Sequence, residues 1–108
     1  MKEELISRKT ITYGDEFLAE MELCYLITEK ENNLPGENKY GVRIIKETIE
    51  NGARISEDNT SDLLFRHYEE ALEFINMLIK YEVTPIALQG VAEDYICDCK
   101  EMSDMMTA

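Results

Sequence analysis

Residues 68–96 constrain the fold most, because two helical patterns of apolar residues follow each other there across a proline. In residues 68–81, apolar side chains recur every three or four positions, which predicts a helix with one continuous buried stripe. The members of that stripe are Tyr68, Ala71, Leu72, Ile75, Leu78 and Ile79. Val83-Thr84-Pro85 then predicts an elbow, with Thr84 as a side-chain cap and Pro85 at the first position of a second helix.

The second predicted helix has a single apolar stripe. Its members are Leu88, Val91, Ala92, Tyr95, Ile96 and Cys99. Gln89, Glu93 and Cys97 fall on the opposite side, and Gly90 costs about 1 kcal/mol relative to alanine unless a backbone packs close to it. Methionines continue the apolar spacing, so the end of the helix stays open, although we expect a loose tail at 100–108.

The first helix carries a second apolar stripe, formed by Phe74, Met77 and Tyr81 and lying roughly opposite Leu72 and Ile79. This stripe could belong to the core, packed on the second helix or under a loop, and that alternative stays open. Aromatic residues and methionine are also enriched at the centres of protein interfaces, so Phe74, Met77 and Tyr81 are the candidate interaction surface. The expected partner is a second copy of the chain, since cyclic dimers are the commonest assembly, or an unidentified protein.

Strands are predicted before the two helices. After a frayed charged start at 1–4, alternation over 8–13 predicts the first strand. Residues 17–28 alternate most strictly, which favours a half-buried antiparallel strand over a helix. Its apolar face comprises Phe17, Ala19, Met21, Leu23, Tyr25 and Ile27. Residues 29–39 contain a Pro-Gly pair and predict a solvent-exposed loop.

A hairpin is predicted at Asn51-Gly52, because both central positions of a type I′ turn need positive φ. This turn joins a third strand at 40–49 to a short fourth strand at 53–57 and pairs Thr48 with Ile55. Ile55 then shares a face with Val42 and Ile44. We expect a loop at 57–61 and leave 63–65 as either extended chain or helix start.

Strands followed by helices predict the α+β class. The expected architecture is an antiparallel β-meander of about four strands followed by two α-helices packed on one face. We expect a single domain over 1–108, with an ordered core at about 8–98.

The chain has a formal net charge of −12, from 23 acidic and 11 basic residues. This excess argues against binding to nucleic acid or to an anionic membrane, because both need clustered Lys and Arg. Residues 1–13 contain no apolar run long enough for a signal peptide, nothing later approaches membrane-spanning length, and the three cysteines suggest reduced thiols. We therefore expect a cytoplasmic protein.

No residue pattern predicts a catalytic, cofactor-binding or metal site, so we expect a protein that is not an enzyme. His67 is the single histidine and falls at a helix start, whereas Cys97 and Cys99 point apart on a helix and cannot share a metal ion. Acidic residues on the two helices are interpreted as solvated faces: Glu69, Glu70, Glu73, Glu93, Asp94 and Asp98. The alternatives are a small metal-dependent hydrolase that uses these carboxylates, and an acidic nucleic-acid mimic.

Residues 84–96, TPIALQGVAEDYI, resemble the terminal helix T-P-x-x-L-x-x-V-x-E-D-Y of a family of small uncharacterised bacterial proteins, found largely in clostridia. The strand motif Tyr40-Gly41-Val42 and the central helix are also similar, so the resemblance covers roughly 8–98. Gly90 stands where that pattern has a charged residue. The resemblance implies a fold and a cytoplasmic setting, without an assigned activity. Our leading hypothesis is a non-enzymatic interaction or regulatory module.

Overall fold

The predicted α+β meander is confirmed by the computed structural model, which describes residues 2–13, 19–31, 34–50 and 52–107. Its elements are β1 (Lys2–Tyr13), β2 (Ala19–Glu29), β3 (Tyr40–Glu50), β4 (Ala53–Phe65), α1 (Tyr68–Lys80), a 3₁₀ turn (Pro85–Ala87) and α2 (Leu88–Thr107). The four strands form one antiparallel sheet in the order β1-β2-β3-β4, and both helices pack on the same face. The predicted positions of Phe17 and Asn51 lie outside the described residues.

Strand β1 begins at Lys2, so the expectation of a frayed start is wrong for residues 2–4, and Met1 lies outside the described residues. β2 continues to Glu29, which pairs with Lys2, so that residues 2–5 of β1 each lie opposite a residue of β2. The register shifts between Leu5 and Ser7, the signature of a β-bulge. Because the bulge breaks the alternation of side chains, the pattern of period two is visible in the sequence only after it.

Strand β4 is also longer than predicted, since 57–61 is extended chain and not a loop. The predicted pairing of Thr48 with Ile55 is confirmed, and the same register continues to Ser61 opposite Val42. Polar residues are tolerated here because the backbone of β3 supplies a full ladder of partners. Ser61 is buried, and the open choice at 63–65 is resolved as strand.

The core lies between the sheet and the helices. Tyr25 links these layers, because its hydroxyl donates a hydrogen bond of 3.1 Å to the Val83 carbonyl in the elbow. Lys9 donates through Nζ to the Ile79 carbonyl at 3.3 Å, which ties the end of α1 to β1. The fully or nearly fully buried apolar residues are Leu23, Tyr25, Ile27, Val42, Ile44, Phe65, Ala71, Phe74, Ile75, Leu78, Leu88 and Ala92.

The elbow differs from the prediction in one respect. Thr84 occupies the cap position before Pro85, but its side chain makes no capping hydrogen bond. Its carbonyl instead accepts a hydrogen bond of 3.1 Å from the Ala87 N–H, so a 3₁₀ turn precedes α2. The helix α2 runs to Thr107, with no proline or further glycine to stop it, and the looseness expected of the tail at 100–108 stays a prediction. Within the described residues, neither helix is long and apolar enough to cross a membrane.

Gly41 lies at a second irregularity of the sheet, where the β3–β4 register shifts between Tyr40 and Val42. An added Cβ at Gly41 would lie 2.4 Å from the Ser61 carbonyl oxygen and 2.8 Å from the Asp62 Cα. No larger residue fits without moving the backbone of β4. The Tyr-Gly-Val motif therefore has a steric basis at its central position.

The helix-free face of the sheet carries several charged side chains. Arg43 spans it, donating to both carboxylate oxygens of Glu3 at 3.0 Å and to Asp58 through Nε at 2.9 Å. Hydrogen bonding from Arg43 to Asp58 holds the pKa of the Asp58 carboxyl below its usual value, even though burial acts in the opposite direction. Ion pairs join further residues of this face, which is typical of a solvated antiparallel sheet.

Candidate interaction surface along β4 and α2

The predicted surface formed by Phe74, Met77 and Tyr81 does not exist as one exposed stripe. Phe74 is fully buried, with its ring centroid 4.7 Å from that of Tyr95 and 5.6 Å from that of Phe65. Met77 is partly buried against the core, and Tyr81 is 66 % exposed. The interface interpretation is wrong for Phe74 because α2 and the end of β4 cover this side of α1. Packing on the second helix, the core alternative, is what the structure shows.

A groove of about 260 Å³ runs between the edge strand β4 and α2. Two of its lining side chains, Ser61 and Ala92, are small and almost fully buried, which leaves room for an outside group. Leu64 and Ile96 are larger, half-buried and apolar, and Glu93 is exposed at the rim. The lining residues are Ser61, Leu64, Gln89, Ala92, Glu93, Ile96 and Cys97. The groove is thus an apolar depression in a strongly acidic protein.

The edge of β4 is capped at Thr60, next to the groove. The Thr60 N–H donates to Asn59 Oδ1 at 2.9 Å, and the Thr60 carbonyl accepts from Gln89 Nε2 at 3.0 Å. Gln89 Nε2 also lies 3.3 Å from Asn59 Oδ1, while Asn59 Nδ2 donates to the Pro85 carbonyl at 2.9 Å. Both backbone groups of Thr60 are therefore satisfied by side chains. An added β-strand would have to displace them, so the groove suits a side chain better than a strand.

A second cavity, of about 380 Å³, lies on the other side of the Asn59–Gln89 link. It is lined by Glu57, Asp58, Asn59, Pro85 and Ile86. The Oε2 atom of Glu57 is buried and, within the described part of the chain, has no hydrogen-bond partner. Ile86 is 81 % exposed, and Ile55, two residues before Glu57 on the same face of β4, is 55 % exposed. A buried acceptor is thus flanked by two exposed apolar side chains.

A third cavity, of about 460 Å³, lies at the end of the sheet where β1 and β3 begin, beside the start of α1. Its Tyr40 and Tyr68 rings meet edge to face with centroids 5.9 Å apart. The Tyr68 hydroxyl donates to Glu4 at 2.9 Å, and this bond raises the pKa of Tyr68. Lys39 lies 3.5 Å from the Glu29 carboxylate. These carboxylates already have partners within the chain, in contrast to Glu57 Oε2.

The other residues singled out in the sequence do not converge. Glu69, Glu70 and Glu73 are exposed on α1, as Glu93 and Asp94 are on α2, and the side chain of Asp98 lies outside the description. His67 is exposed just before α1. Across the described residues, no group of three or more His, Cys, Asp and Glu side chains is placed to hold a metal ion.

Sequence reasoning missed Glu57, Asn59 and Gln89. Glu57 fell at the boundary between the predicted fourth strand and the predicted loop, Asn59 fell inside that loop, and Gln89 was interpreted only as facing away from the core. A usable signal was the alternation of Glu57, Asn59 and Ser61, which places all three on one face of a strand. A loop rich in Asp, Asn and Ser shows the same composition, so composition alone favoured the wrong interpretation.

The fold defines a small α+β protein, with a four-stranded antiparallel meander covered on one face by two helices. This chain belongs to a family of unknown function, DUF6514, whose match covers residues 2–98. Neither the curated proteins nor the solved structures contain a significant match to the chain.

Proposed function

We propose that this protein is a small cytoplasmic, non-enzymatic interaction module. Its groove between β4 and α2 binds an apolar side chain carried by a basic segment of a partner protein. The observation that carries the proposal is the groove itself, an apolar depression beside a capped strand edge in a chain of net charge −12. Apolar contacts provide affinity there, and the acidic surroundings select a basic partner.

The expected energies are modest. Complete burial of a leucine side chain contributes about 1.5–3 kcal/mol, enough to change an affinity by about tenfold or more. Glu93 at the rim and the overall negative charge attract Lys and Arg around that side chain. Because this electrostatic attraction comes from exposed charges, which salt screens, binding should weaken as the salt concentration rises.

Two synthetic peptides test the apolar contribution. Titration calorimetry compares acetyl-Lys-Lys-Leu-Lys-Lys-amide with the same peptide carrying Ser in place of Leu. The two peptides have equal charge, so bulk electrostatics cancels in the comparison. We expect the leucine peptide to bind tighter by about tenfold or more. Equal affinities would mean that the groove does not take the apolar side chain, and the proposal would then be wrong.

Two protein variants test the location. Glu93→Lys reverses a charge at the groove, and Glu69→Lys makes the same change at an exposed position on α1 that does not line the groove. Both variants have the same net charge. We expect Glu93→Lys to weaken binding of the leucine peptide more than Glu69→Lys does. If the two variants lose the same affinity for the leucine peptide, overall charge and not the groove accounts for binding, and the proposal is wrong.

A further inference from the structure

The buried carboxylate oxygen of Glu57 has no role in the groove and no partner within the described chain. We propose that the cavity at Glu57 and Ile86 binds the guanidinium group of an arginine on the same partner segment whose apolar side chain occupies the groove. This inference rests on the proposed function and specifies its partner. The two cavities lie on either side of the Asn59–Gln89 link.

Glu57 is singled out by what its neighbours already do. Asp58 is engaged by Arg43, and the side-chain amide of Asn59 donates to the Pro85 carbonyl. Lys46 is opposite Glu57 in the β3–β4 register, yet the ion pairs of the described residues do not join the two. A buried carboxylate oxygen without a donor is costly, so a donor from outside gains more here than at a satisfied surface acid.

Arginine fits this cavity better than other donors. Its three-carbon stem can pack on Ile86, which is 81 % exposed. Its planar guanidinium can donate to the Glu57 carboxylate once that partly buried side chain turns its unpartnered oxygen towards the cavity. A divalent cation would need several oxygen ligands, and the described residues provide no cluster of three acidic, His or Cys side chains. A lysine ammonium offers a point charge without the flat fork of donors.

The spacing along β4 defines the partner motif. Glu57 and Ser61 are four residues apart on one strand, which corresponds to about 13 Å at the rise of extended chain. An extended partner segment therefore presents its arginine and its apolar side chain about four residues apart. The segment crosses over the Asn59–Gln89 link and does not pair with the capped edge at Thr60.

The test uses the peptide acetyl-Lys-Arg-Ser-Ser-Ser-Leu-Lys-amide and an analogue with citrulline, the neutral isostere of arginine, at the second position. Isothermal titration with the full chain is expected to show about tenfold weaker binding for citrulline, because a hydrogen bond between two charged groups is lost. In Glu57→Gln, the arginine and citrulline peptides should bind equally. In Glu73→Gln, an exposed control on α1, the tenfold difference should remain.

Thermal unfolding separates this role from a structural one. Glu57→Gln should have a Tm equal to or above that of the wild type, because a neutral amide is less costly to bury than an unpartnered carboxylate oxygen. A variant that unfolds at lower temperature would assign Glu57 to the stability of the sheet and overturn the proposal.

The outcomes also separate the two proposals. If replacement of Leu by Ser weakens binding while citrulline changes nothing, the groove stands and the arginine site is refuted. The same refutation follows if the arginine preference survives in Glu57→Gln, because the cation would then bind elsewhere. If only the arginine effect is found, Glu57 binds the guanidinium, but the groove proposal fails and with it the motif that places both side chains on one segment.

Discussion

Replacement of Gly41 by alanine should destabilise the protein through a clash that no side-chain rotation can relieve. The new Cβ would lie 2.4 Å from the Ser61 carbonyl oxygen, 2.8 Å from the Asp62 Cα and 2.9 Å from Thr28 Oγ1. Two of these three atoms belong to the backbone of β4, so the strand itself must shift. Overpacking of this kind costs typically about 1–3 kcal/mol, and the restricted unfolded chain offsets somewhat less than 1 kcal/mol of it.

We therefore expect Gly41→Ala to lower the free energy of unfolding by about 2 kcal/mol, or the Tm by about 8 °C for a chain of this length. Gly90→Ala is the matched control, because the same methyl group meets no atom within 4 Å and stands inside α2. That control should gain about 0.5–1 kcal/mol from helix propensity. Urea and thermal unfolding measure both variants. If Gly41→Ala is as stable as the wild type, the close approach of β3 and β4 at the bulge is wrong.

Three further predictions concern the core, the elbow and the acidic residues. Phe74→Ala should lower the free energy of unfolding by about 3–5 kcal/mol, as measured by chemical unfolding. Tyr81→Ala, at an exposed position, should change it by less than about 1 kcal/mol. If both variants have similarly small effects, Phe74 is not buried. Burial raises the pKa of Tyr25 to about 12, above its ordinary value of 10. The neutral Tyr25 hydroxyl therefore contributes its full stabilisation of the folded state below pH 10, and this stabilisation is lost as the pH rises towards 12. The loss is about 1–2 kcal/mol, because the hydroxyl is only partly buried and solvent screens part of the effect. Tyr25→Phe should flatten the alkaline unfolding profile by that amount; an unchanged slope contradicts the burial of the hydroxyl. Addition of Mg²⁺ or Mn²⁺ should leave the Tm unchanged, and a saturable rise would favour the metal-dependent alternative.

The helices could be predicted from the sequence because their apolar stripes repeat over several turns. The element that covers the second apolar stripe of α1, formed by Phe74, Met77 and Tyr81, could not be predicted. Periodicity shows that the side of α1 bearing Phe74 must be covered, but a second helix, a loop and another protein all satisfy that requirement. Only the path of α2, which brings Tyr95 to 4.7 Å from Phe74, decides among them.

The strands show the opposite problem, since the hairpin register was predictable and the strand lengths were not. Gly52, with φ of +79°, follows the expected turn chemistry, and Thr48 pairs with Ile55. The bulge in β1 hid its outer part, because it shifts the side-chain alternation on which the prediction depends. In β4 the register is unbroken up to Ser61, and the loop-like composition of 57–61 hid that part of the strand. The site residues Glu57 and Asn59 were lost with β4, so the error in the fold became an error in the site.

Methyl NMR spectroscopy tests most directly whether the groove between β4 and α2 binds an apolar side chain. The leucine pentapeptide is titrated into selectively labelled protein, with the serine peptide as the control. We expect the methyl signals of Leu64 and Ile96 to shift progressively with the leucine peptide, while Ile45, half-buried on a different strand and not among the groove residues, stays unchanged. Shifts at Ile45 without shifts at Leu64 and Ile96 would place binding elsewhere and contradict the proposed function.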